Sequence, residues 1–102
     1  MYCAIIGDLV GSKNIPPPER RNLQEKLKSL LQRVNVDYRD KIEADFIITL
    51  GDEFQGLLIA PSASINIINL IVKELYPNQV RFGVGISDIS TEIDSTSAIG
   101  AD

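Results

Sequence analysis

The segment ADFIITLGDEFQGLLI, residues 44–59, decides the fold because it holds two runs of strand-forming residues around a short polar turn. The runs cover residues 44–50 and 54–59, and a Gly-Asp-Glu tripeptide (residues 51–53) separates them. A short connection of the Gly-Asp type between such runs is a typical signature of a β-hairpin. The sequence therefore predicts two antiparallel strands with Asp52 in the turn that joins them.

Two helices are predicted, one before this hairpin in the sequence and one after it. The first covers Glu19 to about Asp37, where leucine and valine side chains recur at helical spacing and charged side chains such as Arg20 occupy the solvated side. The second begins with a cap at Ser62 or Ser64 and ends before Pro77. Its predicted buried face consists of Ile65, Ile68, Ile71, Val72 and Leu75.

The two outer strands complete the order. Residues 2–9 form an apolar run typical of a buried strand, and residues 80–87 alternate bulky with small or polar side chains. The resulting order, β-α-β-β-α-β, predicts an α+β fold of the ferredoxin-like, palm type, in which an antiparallel sheet carries both helices on one face. We expect this palm domain to cover residues 1–90 and the polar residues 91–102 to begin a further segment.

The composition excludes several classes of function. With 102 residues, 44% hydrophobic and 24% charged, the chain predicts a single ordinary globular domain. No apolar run reaches the roughly 20 residues of a membrane span, and the net charge of −4 argues against direct nucleic-acid binding. The absence of histidine excludes His-based zinc sites and Ser-His-Asp triads. The lone Cys3 predicts a buried thiol in a reducing compartment, the cytoplasm.

Two aspartates are brought to one end of the sheet by the predicted order. Asp8 ends the first strand and Asp52 lies at the hairpin tip, so we expect their carboxylates to converge if the strands are neighbours. Two hard oxygen ligands with open positions suit Mg²⁺ or Mn²⁺, which complete their coordination with substrate phosphates. The alternative is that each aspartate only caps turn amides, because Gly-Asp pairs are common in turns.

Further residues near this pair are candidates for phosphate binding. Gly11, Ser12 and Lys13 follow Asp8 in the chain, and they can turn backbone N–H groups and an ammonium toward phosphates. Glu53 is a candidate third ligand or helper, with a solvated hairpin acid as the alternative. Arg81 lies on the face of the last strand opposite its bulky side chains, and there it can bind phosphate or form a cross-strand ion pair.

These motifs are similar to those of a known group of proteins. GDLVGSK (residues 7–13) resembles the first-strand motif of class III nucleotide cyclases, and LGDEFQGLL (residues 50–58) resembles both their hairpin and the GGDEF hairpin of diguanylate cyclases. RFGVGISDIS (residues 81–90) is similar to the cyclase strand that follows the second helix. Over its whole length the chain resembles the N-terminal part of the SatD family. The resemblance implies a palm-type fold with Asp8 and Asp52 as metal ligands.

Departures from the cyclase pattern leave two functions open. Ile47, Ile48 and Thr49 occupy the place of the adenine-reading lysine, and Leu50 replaces the first glycine of GGDEF. One expectation is a metal-dependent nucleotide-binding domain that, if catalytic, transfers nucleotidyl or phosphoryl groups as cyclases and nucleotidyl transferases do. The alternative is a non-catalytic nucleotide-sensing or dimerisation module of a bacterial regulatory protein. Because the run 2–9 is apolar on both faces, we expect a homodimer to cover the second face of the sheet.

Overall fold

The computed structural model describes residues 1–88, which form an α+β domain with four strands and two α-helices. The predicted element order is confirmed, and the predicted tail at 91–102 lies outside the described residues. The strands are β1 (Tyr2–Leu9), β2 (Ile42–Leu50), β3 (Glu53–Leu58) and β4 (Val80–Ser87). The helices are α1 (Pro17–Asp37) and α2 (Ser64–Leu75). Three short 3₁₀ turns cover Ser12–Asn14, Arg39–Lys41 and Pro61–Ala63.

The four strands form one antiparallel sheet in the order β2-β3-β1-β4. In the register of the sheet, Asp8 of β1 lies between Glu53 of β3 and Arg81 of β4. The Leu9 N–H donates a hydrogen bond of 3.3 Å to the Asp52 carbonyl, which ties the end of β1 to the hairpin turn. The end of β1, the β2–β3 turn and the start of β4 therefore meet at one end of the sheet.

One hydrophobic core joins both helices to a single set of alternating strand residues. In β1 this set is Cys3, Ile5 and Leu9, which are all buried. The fully buried Phe54 of β3 contacts Phe82 of β4 edge to face, with ring centroids 6.1 Å apart. From the helices the core takes Leu23, Leu27, Leu30, Leu31 and Val34 of α1 and Ile67, Ile71 and Leu75 of α2. Within residues 1–88, no helix is both long and apolar enough to cross a membrane.

Two glycines in the central strands make room for aromatic rings. A Cβ atom at Gly7 would press against Cζ of Phe54 and would lie 2.9 and 3.0 Å from its Cε atoms. A Cβ atom at Gly56 would lie 2.5 Å from the Phe46 ring. These distances are far below ordinary carbon contacts of about 3.5–4.0 Å. The two glycines are therefore required by side-chain packing inside the sheet, and not by a turn.

An asparagine of α1 supports an irregular part of β2. The register between β2 and β3 shifts between Ala44 and Ile47, an interval that contains Phe46. The Phe46 N–H donates to Asn35 Oδ1 at 2.8 Å, and Asn35 Nδ2 donates to the Phe46 carbonyl at 3.0 Å. The Asn35 amide thus makes the two backbone hydrogen bonds that a neighbouring strand would otherwise make at this irregularity, and it fixes α1 against β2.

The predicted buried face of the second helix is partly wrong. Ile65 and Val72 are 65% and 44% exposed, whereas Ile67, which the prediction left out, is fully buried. Isoleucine or valine occupies five of the eight positions from 65 to 72, so apolar side chains cover a wide arc and spacing alone does not select the face that packs. The predicted serine caps are absent as well, because Ala63 is the N-cap residue and makes no side-chain cap.

The first helix begins at Pro17, two residues before the periodic stretch from Glu19 that predicts it. Proline is tolerated in the first helical turn, where its missing N–H has no partner inside the helix. The hairpin strands are shifted slightly as well: β2 begins at Ile42, β3 begins at Glu53, and only Gly51 and Asp52 connect them. This shorter turn places Asp52 directly between two paired strands.

Candidate functional site

An open cavity of about 950 Å³ lies at the end of the sheet where β1 ends. Its walls come from the loop after β1, the first turns of α1, the β2–β3 turn and the start of β4. All seven residues that the sequence singled out line this cavity, and their roles as ligands stay predictions. They are Asp8, Gly11, Ser12, Lys13, Asp52, Glu53 and Arg81.

The cavity is lined by charges of both signs. Three acidic side chains, Asp8, Asp52 and Glu53, face four basic ones. The basic side chains are Lys13, Arg20, Arg21 and Arg81. A cavity with this lining offers oxygen ligands for a cation and guanidinium or ammonium groups for an anion.

Asp52 is held in place by two hydrogen-bond donors from distant parts of the chain. Its carboxylate accepts hydrogen bonds from Ser12 Oγ and, at 2.6 Å, from Gln24 Nε2 of α1. Ser12 is only 5% exposed, so this interaction is shielded from water. Gly51, with φ of 61°, supplies the left-handed conformation that the turn needs before Asp52. The carboxylate of Asp52 is therefore fixed by neutral groups before any ligand binds.

The loop after β1 has a similar backbone requirement. Gly11 adopts φ of 70°, a left-handed conformation that glycine tolerates best, and it begins the short turn Ser12–Asn14. This turn carries Ser12 inward, while Lys13 remains exposed at the cavity wall. The sequence Gly-Ser-Lys therefore serves to orient a hydroxyl toward Asp52 and to leave an ammonium facing solvent.

Asp8 has a different kind of partner, the cation Arg81 on the neighbouring strand. Arg81 Nη2 lies 3.2 Å from Asp8 Oδ2, and Arg81 Nε lies 3.4 Å from Asp8 Oδ1. These hydrogen bonds, followed by the negative charge of Asp8, raise the pKa of the Arg81 guanidinium. Both side chains are exposed, at 37% for Asp8 and 72% for Arg81. The pair is long and solvated, so it is a weak constraint on either side chain.

The two carboxylates are thus engaged with separate partners. The backbones of Asp8 and Asp52 are adjacent through the Leu9 hydrogen bond, but Asp8 pairs with Arg81 while Asp52 is bonded to the loop after β1 and to α1. Among the described residues, no group of three or more acidic, histidine or cysteine side chains is arranged to hold a metal ion. A metal bound here would use the two aspartates and take its remaining ligands from water or a bound molecule.

Three functional candidates from α1 were not predicted from the sequence. Arg20, Arg21 and Gln24 line the cavity, although the helical pattern placed Arg20 only on the solvated side of the helix. Arg20 and Gln24 are four residues apart and therefore share one side of the helix, next to the buried Leu23. This spacing of polar side chains beside the apolar face was the signal that could have found them.

The described residues therefore define an α+β domain with a cavity of mixed charge at one end of an antiparallel sheet. The family model described as SatD family matches residues 2–102, which is nearly the whole chain. The chain belongs to the SatD family. Comparison with the curated proteins gives no match.

Proposed function

We propose that this chain is a ferredoxin-like, palm-type domain that binds a nucleotide through Mg²⁺ or Mn²⁺ at Asp8 and Asp52. The observation that carries the proposal is a single cavity in which these aspartates, on adjacent backbone segments, lie among four basic side chains. A phosphate chain with a hard metal ion needs both kinds of group. The similarity of residues 7–13 and 50–58 to cyclase motifs supports a nucleotide as the ligand.

The strand order supports the finer description of the fold. In the split βαβ arrangement the first and third strands lie at the centre and the second and fourth at the edges. The order β2-β3-β1-β4 is the one expected for this arrangement. Burial of both helices in one core with a single face of β1 supports placing them on the same side of the sheet.

The side chains fit a hard divalent cation in their chemistry. Asp8, Asp52 and Ser12 supply only oxygen ligands. The Asp8 carboxylate already pairs with one cation, the Arg81 guanidinium. A bound metal ion would neutralise phosphate charge and, in a transfer reaction, activate a hydroxyl group. Lys13, Arg20 and Arg21 line the same cavity and would balance the remaining phosphate charge.

The proposed reaction class, if the domain is catalytic, is nucleotidyl or phosphoryl transfer. A second candidate function is a non-catalytic nucleotide-sensing or dimerisation module. One observation favours it: Ile47, one of the three residues at the place of the base-reading lysine of cyclases, is an apolar side chain that is 54% exposed. The partly exposed Tyr2, Ala4 and Ile6 on the second face of β1 support a homodimer, and a monomeric mass in static light scattering would contradict it. The free, buried thiol of Cys3 supports a cytoplasmic location.

A thermal-shift experiment tests the proposed site. The wild-type chain, Asp8→Asn and Asp52→Asn are heated with a nucleoside triphosphate, with Mg²⁺ or Mn²⁺, and with both. At about ten times the Kd, binding adds about 1.4 kcal/mol of stability, which raises the Tm by about 6–11 °C for a domain of this size. We expect this shift to need both metal and triphosphate and to disappear in the two variants.

Asp45→Asn is the matched control. Asp45 forms an exposed ion pair with Arg39 at 2.6 Å, and neither residue lines the cavity. The substitution therefore removes a comparable carboxylate and should leave the ligand-dependent shift intact. The proposal is wrong if no combination of metal and triphosphate shifts the wild-type Tm, or if all three variants lose the shift equally.

A further inference from the structure

We infer that Arg81 is an exchangeable partner of Asp8. In the ligand-free chain its guanidinium pairs with the Asp8 carboxylate, and when a metal ion binds this carboxylate instead, the guanidinium moves to a phosphate group of the ligand. The inference rests on the proposed function and adds a mechanism by which metal and phosphate assist each other's binding. It also assigns the phosphate group, and not the base, as the part of the ligand that Arg81 recognises.

The position of Arg81 is set by the sheet. Arg81 and Asp8 are direct register partners on the antiparallel strands β4 and β1, so both side chains emerge on the same face at the cavity edge. Within residues 1–88, the hydrogen bonds of Arg81 go to Asp8 alone. The guanidinium therefore has no second anchor that would hold it when Asp8 takes another partner.

The contact itself has the properties of an exchangeable pair. Its N–O distances of 3.2 and 3.4 Å exceed the roughly 2.7–2.9 Å of strong charge-assisted hydrogen bonds. The Arg81 side chain is 72% exposed, so water competes for both partners. A metal ion that binds the Asp8 oxygens has to displace only this weak contact.

Asp52 provides the contrast within the same cavity. Its partners, Ser12 and Gln24, are neutral, and Ser12 is buried. A cation that approaches Asp52 meets no positive charge on that carboxylate, whereas a cation that approaches Asp8 must replace Arg81. The cost of metal binding is therefore concentrated at Asp8, and a ligand that accepts the released guanidinium offsets it.

This exchange predicts opposite effects of one substitution on two binding equilibria. Without Arg81, a metal ion alone binds more tightly because no internal cation competes for Asp8. The metal in the presence of a polyphosphate binds more weakly because the released guanidinium no longer reaches the anion. Arg81 thus couples the two ligands, and by linkage each raises the affinity of the other by the same factor.

The experiment measures Mn²⁺ binding by isothermal titration calorimetry, without and with saturating inorganic triphosphate. Inorganic triphosphate is the probe because it carries the phosphate chain without a base. For Arg81→Gln we expect Mn²⁺ alone to bind about two- to fivefold more tightly, the range for an exposed ion pair. We expect Mn²⁺ with triphosphate to bind about tenfold more weakly, as for a lost charge-assisted hydrogen bond.

Two further variants separate exchange from a structural role. Arg81→Lys keeps the positive charge, so it should restore the weak binding of Mn²⁺ alone but only part of the triphosphate effect. Arg39→Gln breaks the comparable exposed pair with Asp45 outside the cavity and should change neither affinity. Thermal unfolding of each variant without ligand shows whether the fold is retained.

The outcomes distinguish this inference from the proposed function. If Arg81→Gln weakens both equilibria or changes neither, while Asp8→Asn still abolishes Mn²⁺ binding, the exchange is wrong and the metal site stands. If Mn²⁺ binds the wild type no better than it binds Asp8→Asn and Asp52→Asn, both the metal site and the exchange are wrong. Only opposite changes of the two affinities in Arg81→Gln support the exchange.

Discussion

Replacing Gly7 by alanine tests the packing beneath the candidate site. Gly7 precedes Asp8 in β1, and a Cβ atom there would collide with three atoms of the Phe54 ring. Two of these atoms would lie at 2.9 and 3.0 Å and Cζ closer still, so the ring has to retreat by more than about 1 Å to reach an ordinary contact distance. Phe54 is fully buried and rests edge to face on Phe82, so a displacement of its ring disturbs the surrounding core.

We expect Gly7→Ala to lower the free energy of unfolding by about 1–3 kcal/mol, the usual cost of an extra methyl group in a packed core. Urea unfolding followed by circular dichroism measures this quantity, because the chain contains no tryptophan for fluorescence. The strain falls between β1 and β3, which carry Asp8 and Glu53. The same variant should therefore also weaken metal–triphosphate binding.

Gly83→Ala is the matched control for this substitution. Gly83 is also a strand glycine in the same sheet, on the neighbouring strand β4, but a Cβ atom there would meet nothing within 4 Å. We expect its free energy of unfolding to stay within about 0.5 kcal/mol of wild type. The reasoning is refuted if Gly7→Ala is as stable as Gly83→Ala, or if Phe54→Leu costs as much stability in the Gly7→Ala background as it does in the wild type.

Three other predictions concern the neighbours of the site and the core. Gln24→Leu removes a hydrogen bond to Asp52 and should weaken Mn²⁺ binding about tenfold in calorimetry, as is typical of residues that orient a metal ligand; an unchanged Kd would contradict this role. Asn35→Ala leaves the N–H and carbonyl of Phe46 without their partner and should cost about 1–3 kcal/mol in urea unfolding, and a loss below 0.5 kcal/mol would argue against the bridge. Burial raises the pKa of the Cys3 thiol above its ordinary value, against a smaller lowering by a hydrogen bond with Ser64. Stability should therefore fall as the pH rises past the ordinary thiol value, where the unfolded chain loses the Cys3 proton while the folded chain retains it, and Cys3→Ala should remove that part of the pH dependence. An identical alkaline profile in both chains would show that Cys3 makes no such contribution.

The hairpin and the position of Asp52 could be predicted because their causes are local. A left-handed glycine followed by a polar residue between two β-rich runs specifies a turn without reference to the rest of the chain. The cavity edge followed from the element order, since a sheet with this order brings the end of β1 beside that turn. For these features, sequence spacing and turn chemistry were sufficient.

The partners of Asp52 could not be predicted in the same way. Ser12 and Gln24 lie 40 and 28 residues away in sequence; the contact of Ser12 depends on the conformation of the turn after β1, and that of Gln24 on the rotation of α1 over the sheet. The required small residue at Gly7 depends in turn on a ring that comes from another strand. Such contacts arise from tertiary packing, which neither periodicity nor local propensity records.

The difference between the two aspartates bears on which ligands this cavity can distinguish. A site with both carboxylates free would bind a divalent ion by itself, and a site with both carboxylates neutralised would bind phosphate without metal. Here Asp52 is oriented by neutral donors, whereas Asp8 already forms an ion pair with Arg81. At the proposed site, a metal ion or a phosphate alone would gain only part of the available interactions, while the two together would satisfy Asp8 and Arg81 at once. Under the proposed function, this arrangement would favour a ligand that brings metal and phosphate as one unit, such as a metal–nucleotide complex.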